Sequence, residues 1–102
     1  VIHALRADPH GNAEIGINKA IDEELAIASG TVIVTAEEIV PELERAALVA
    51  PFVEAVVHTP HGASPSSCHP LYPLDGEAIL AYTEQVSDPA SLEVYLQQML
   101  GE

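Results

Sequence analysis

The apolar positions of this chain change period several times, and each change marks an element. Residues 1 to 7, with Val1, Ile2 and Leu5 apolar, predict a strand. The turn-forming set Asp8-Pro9-His10-Gly11-Asn12 follows, and "AEIGI" (13 to 17) alternates weakly enough to predict a second, short strand. Between Asn18 and Ser29, Ile21, Leu25 and Ala28 fall at i, i+4 and i+7, one helical face, with Asp22, Glu23 and Glu24 turned to water. Gly30 stands where a C-terminal cap belongs.

"TVIVTA" (31 to 36) is apolar and β-branched almost throughout, the mark of a strand covered on both faces. Pro41 is placed to start a helix through "PELERAALV", and Pro51 precedes a third strand, "FVEAVVHT" (52 to 59). Residues 60 to 74 hold four of the eight prolines and predict an irregular, Pro-rich loop, since neither a ladder strand nor a helix interior tolerates them. Two helices close the chain. One runs from about Asp75 to Val86 with Ile79, Tyr82 and Val86 on one face. The other has Asp88 as N-cap and Pro89 as first helical residue, and turns Leu92, Tyr95, Leu96 and Met99 inward. The reading is a single α/β domain over 1–102: an open, largely parallel sheet, flanking helices and two C-terminal helices.

Composition sharpens this in three ways. Apolar residues make up 48% of the chain but only four are aromatic, so the core rests on Val, Ile, Leu and Ala. Sixteen acidic residues face three basic ones (Arg6, Lys19, Arg45), a net charge of −13. That balance disfavours nucleic acid, an anionic membrane surface or, by this chain alone, a polyphosphorylated cofactor, all of which need cations. The lone Cys68 excludes an internal disulfide, no apolar run approaches a membrane span, and a cytoplasmic setting is expected.

Candidate chemistry is sparse. His58, His61, Cys68 and His69 are ligand types, but adjacent Cys and His are poorly spaced for one ion, and no metal site is expected. Ser66, Ser67 or Cys68 beside His61, His69 and Asp75 supply triad types without the glycine pattern of a nucleophile elbow. Glu37 and Glu38 follow the buried strand 31 to 36, where open α/β sheets gather functional groups, yet adjacent strand residues point to opposite faces. The glycines form no phosphate-cradling cluster.

Three strings in order carry a resemblance. "RADPHGN" (6 to 12), "VIVTAEEIV" (32 to 40) and "FVEAVVHTPHGASPSSCHPLY" (52 to 72) resemble the alpha subunit of family I CoA-transferases, the group that includes glutaconate CoA-transferase and the 3-oxoacid CoA-transferases. The matching residues are Ala7, Asp8, Gly11 and Asn12, then Glu37, Glu38, Ile39 and Val40, then Gly62, Ala63, Pro65, Ser66 and Cys68. Three departures accompany them. The family's glycine-rich N-terminal half has no counterpart, its loop histidine is Ser64 here, and the connection from Val40 to Phe52 is short.

The resemblance implies a fragment or truncated form of the alpha subunit, its C-terminal portion, inactive alone. It implies a hetero-oligomer in which a beta subunit is the partner, acyl-CoA and a carboxylic acid as substrates, and coenzyme A as a thioester substrate with no bound cofactor. The catalytic glutamate belongs to the beta half in a Glu-Asn-Gly motif, which is absent here, so no catalytic residue is assigned to this chain. Asn12, Glu38, Ser66 and Ser67 are the candidate substrate contacts, each with a turn or capping role as the plainer alternative. A related CoA-thioester or ring-opening hydrolase, and a non-enzymatic acidic interaction module, are the competing functions.

Overall fold

The computed structural model describes residues 1–101. Its elements are β1 (Ile2–Ala7), β2 (Ala13–Glu14), α1 (Asp22–Ala28), β3 (Ile33–Ile39), β4 (Ala55–His58), α2 (Gly76–Gln85) and α3 (Pro89–Leu100), with a single 3-10 turn at Ala50–Phe52. The four strands form one sheet in the order β2-β1-β3-β4. β1 and β4 both run parallel to β3, and β2 pairs antiparallel with β1. This is the open, largely parallel α/β sheet that the apolar pattern predicts.

Strand alternation sorts the side chains. Ile2 and Ala4 pair with Val34 and Ala36 and are buried with them. Ala7, Ala13, Val32, Ala26 of α1 and Leu48 complete this core. It is built from small aliphatic residues, which lets the helix and the chain after β3 approach the sheet closely. On the alternate phase, His3 pairs with Thr35, and Glu37 follows two residues on. These three side chains are only partly covered, so β3 is fully buried on one face rather than both.

Five local expectations change. The helix from Pro41 does not form; residues 41 to 49 are irregular. Their backbone donors serve other partners: Leu43 N–H bonds the Asp8 carboxylate, and Ala47 and Leu48 N–H both bond the Ala13 carbonyl. In α1 the buried residue is Ala26, while Ile21 and Leu25 of the expected face are exposed. The strand expected over 13 to 17 stops at Glu14, and the one expected over 52 to 59 shortens to Ala55–His58. β3 instead runs on through Glu37, Glu38 and Ile39.

The two C-terminal helices form where read, but Tyr82, Leu96 and Met99 of the faces expected to turn inward are exposed. The Asp88 carboxylate accepts from the N–H groups of Ala90 and Ser91, both at 3.0 Å, and Pro89 occupies the first turn. Their apolar faces meet each other rather than the sheet: Tyr82 and Tyr95 lie edge to face at 5.1 Å, and no residue of either helix is fully buried. Among the described residues, no helix is long and apolar enough to cross a membrane.

Candidate functional site

The carboxyl end of the sheet carries two hydrogen-bonded centres, one in a turn and one under the Pro-rich loop. In the turn, Asp8 is wholly inaccessible. One carboxylate oxygen accepts from the N–H groups of His10 and Asn12, the other from the Asn12 side chain and Leu43 N–H. Burial pushes the Asp8 carboxyl up, but these four donors outweigh it and hold it at about 2. Gly11, at φ +103°, closes the turn, where a Cβ would stand 3.2 Å from that of Val53.

The second centre forms because alternation aims Glu37 at the face over which residues 59 to 75 fold. Its side chain is 8% accessible. One oxygen accepts from His3 Nε2 at 2.9 Å and from the Tyr72 hydroxyl, and the other from His61 N–H at 2.7 Å. An ionised carboxylate only accepts, so Nε2–H belongs to His3, and the ring's Nδ1 makes its bond with the Thr35 hydroxyl at 2.8 Å. Tyr72 in turn accepts from Ala63 N–H at 3.1 Å and stacks on the His61 ring, centroids 4.8 Å apart.

Electrostatics follow from these contacts. Burial raises the Glu37 carboxyl, yet the bonds from Tyr72, His3 and His61 prevail and bring it down to about 2. Burial and the bond to Glu37 push the Tyr72 phenol up to about 12. Burial and the same carboxylate raise the Cys68 thiol. At neutral pH the centre is one carboxylate ringed by protonated donors.

The four candidate contacts separate. Asn12 gives its side-chain N–H to Asp8 and accepts from Ala50 N–H, each at 3.0 Å, so both ends of its amide are engaged in the turn. Glu38 is exposed and lines a cleft of about 410 Å³ with Arg6, Glu37, His61, Leu71 and Tyr72. Ser67 is exposed in a neighbouring cleft with His69, Pro70 and Tyr72, and Ser66 is exposed with its N–H bonded to the Ala63 carbonyl. Glu37 is the group that joins sheet to loop. His3, Thr35 and Tyr72 carry no role in the motif reading; the sequence hint for His3 on β1 and Thr35 on β3 is the strand phase they share with Glu37, whereas Tyr72 lies in the loop and only the fold brings it there.

No protein-family model matches the chain. It is 36% identical over 88 residues to the A subunit of glutaconate CoA-transferase from Acidaminococcus fermentans, covering 80% of this chain and 28% of that protein. It is 32% identical over 104 residues to the A subunit of 3-oxoadipate CoA-transferase from Pseudomonas knackmussii, covering 98% and 37%. Among solved structures, glutaconate CoA-transferase of A. fermentans superposes with a TM-score of 0.89 at 31% identity, over 95% of this chain and 33% of that one. A variant of the decarboxylase AibA/AibB superposes with a TM-score of 0.87 at 34% identity, over 99% and 38%. The chain thus spans less than two-fifths of the length of each of these relatives.

Proposed function

We infer that this chain, a homologue of part of the CoA-transferase A subunit, forms one wall of an acyl-CoA and carboxylic-acid site that a second subunit completes. The observation that carries the reading is the state of Glu37. It is the carboxylate best placed in the cleft, yet three donors tie it down and deprive it of basicity. A group so held anchors a wall and makes a poor nucleophile. The attacking carboxylate comes from a beta-type partner, and the chain has no transferase activity alone.

In that scheme the partner's carboxylate attacks the thioester carbonyl, and a covalent intermediate splits one difficult transfer into two easier steps. This chain contributes the cleft at the carboxyl ends of β1 and β3, the usual ligand position in an open α/β sheet. Glu38 meets the ligand from the strand end, Ser67 lines the neighbouring cleft on the loop beside Ser66, and Asn12 sets the turn. The substrate is a coenzyme A thioester, the assembly is a cytoplasmic hetero-oligomer, and neither nucleic acid nor membrane takes part.

The similarity to a decarboxylase brings a second chemistry to the same wall, beside the hydrolysis named above. Product analysis separates all three. The protein is incubated with acyl-CoA, with and without its beta-type partner and with and without an acceptor acid. Transfer requires both partner and acceptor. Free CoA without acceptor marks hydrolysis, released carbon dioxide marks decarboxylation, and turnover by this chain alone overturns the shared-site reading.

A further inference from the structure

Glu37 has a neighbour that the transfer reading does not use. The Cys68 sulphur, a His3 ring nitrogen and a Glu37 carboxylate oxygen all lie within 4.8 Å of one another. They come from β1, β3 and the loop, and at least 31 residues of sequence separate any two of them. Thiolate, imidazole and carboxylate are the three side-chain donors of zinc sites, and a thiolate disfavours the hard ions magnesium and calcium. All three side chains are partly buried, unlike an adventitious surface cluster. His58, His61 and His69, the histidines near Cys68 in sequence, are exposed and outside this group.

The surroundings are those a metal centre needs. A ligating histidine is oriented by a partner on its other nitrogen, and here His3 Nδ1 lies 2.8 Å from the Thr35 hydroxyl. That hydroxyl can donate or accept. With the proton moved to Nδ1 it becomes the acceptor, and the Nε2 lone pair is freed for an ion. Ligating carboxylates are hydrogen-bonded too, as Glu37 is by Tyr72 and His61. Above the ring the loop backbone comes so close that a Cβ on Gly62 would stand 2.7 Å from His3 Cε1. Of the three side chains, Glu37 lines the cleft together with His61 and Tyr72.

We propose that His3, Glu37 and Cys68 bind one zinc ion, with a fourth coordination position open toward that cleft. Zinc–ligand distances of about 2.0–2.3 Å set neighbouring donors roughly 3.4 Å apart in a tetrahedron. The 2.9 Å His3–Glu37 contact therefore opens by about half an ångström as the ion replaces the bridging proton. The Cys68 thiol proton leaves to solvent, and the oxidation state does not change. The ion clamps β1, β3 and the loop together and presents a Lewis acid to whatever occupies the cleft.

The site stands or falls separately from the transfer reading, because its test needs no turnover. Reduced, metal-free protein is titrated anaerobically with cobalt(II). One ion per chain is expected, with the intense visible bands of tetrahedral cobalt and a thiolate-to-cobalt charge-transfer band, all displaced by zinc. Cys68→Ser removes the charge-transfer band. Thr35→Val weakens binding by about 10–100-fold, and His10→Asn, a change of an exposed side chain, leaves it unchanged. Should Cys68→Ser not fold, zinc-edge X-ray absorption of the unaltered protein decides, with one sulphur expected at about 2.3 Å and nitrogen and oxygen at about 2.0 Å. No stoichiometric binding, a metal shell without sulphur, or a charge-transfer band surviving Cys68→Ser overturns the proposal.

Discussion

Asp8 has no accessible surface and yet stays ionised, because four N–H donors converge on it from the turn and from Leu43. An amide in its place keeps one acceptor oxygen and aims an NH₂ group at two of those donors. Asp8→Asn is therefore expected to destabilise the fold by about 2–4 kcal/mol, from donors each costing about 1–3 kcal/mol when left without an acceptor. The pH dependence has a definite sign. The folded carboxyl, at about 2, lies below its ordinary value of 3.8. Its stabilisation is full above pH 4 and is lost as pH falls toward 2. Urea midpoints at pH 4.5 and 2.5 check both points: the unaltered protein should lose more stability between them than Asp8→Asn. A variant whose acid sensitivity equals that of the parent would remove Asp8 from this role. The turn is legible in the sequence because Asp-x-x-Gly-Asn is a local code, three of its four donors lying two and four residues away and only Leu43 coming from a distance. Glu37 is not legible in the same way. Its partners stand 34, 24 and 35 residues off, and only the strand register brings them to it.

Among the elements, those whose ends are marked by caps follow the sequence closely, and those that depend on distant partners do not. Asp88 and Pro89 start α3 with their own atoms, so pattern and structure agree. "PELERAALV" has a helical spacing too, but Leu43, Ala47 and Leu48 give their N–H groups to Asp8 and Ala13, and Leu48 sinks into the core at 2% exposure. Tertiary bonding overrides local preference there. The loop over 59 to 75 depends on distance in the same sense, since it lies on the sheet only where a side chain is absent. At Gly62 a Cβ would meet His3 Cε1 at 2.7 Å and the Thr59 carbonyl at 2.8 Å, and backbone cannot swing away as a flexible side chain can. Gly62→Ala is expected to cost about 1–3 kcal/mol, the usual range for overpacking. Amide hydrogen exchange should place the change in the loop: faster exchange at His61 and Ala63, with the α3 amides unaltered. Uniform acceleration throughout the chain, or none, would separate loop seating from Gly62.

For the whole molecule, charge sets a balance that no single contact reveals. Thirteen net negative charges sit on a body of 45 × 29 × 25 Å, and the chain's three cations, Arg6, Lys19 and Arg45, all line one cleft of about 630 Å³. Two of them are already matched there, Arg6 with Glu14 and Lys19 with Glu23. With sixteen acidic residues and three cations, most acidic groups have no cation to pair with. Salt acts on both kinds of contact, with a screening length of about 8 Å at 0.15 M. It weakens two exposed pairs of small individual worth and also relieves a repulsion summed over the entire surface. The many repulsive terms outweigh the two attractive ones, so the melting temperature is expected to rise from about 10 mM to 150 mM sodium chloride and then flatten as the screening length shrinks below the spacing of the charges. Thermal unfolding at constant pH, followed by circular dichroism, measures it. Potassium chloride in place of sodium chloride should give the same curve, since the effect is one of ionic strength. A melting temperature that falls with salt would mean that the ion pairs around the large cleft dominate the balance. The same acidity bears on the partner: a protein that closes the site against this surface gains most in association rate by presenting cations to it, at low salt above all.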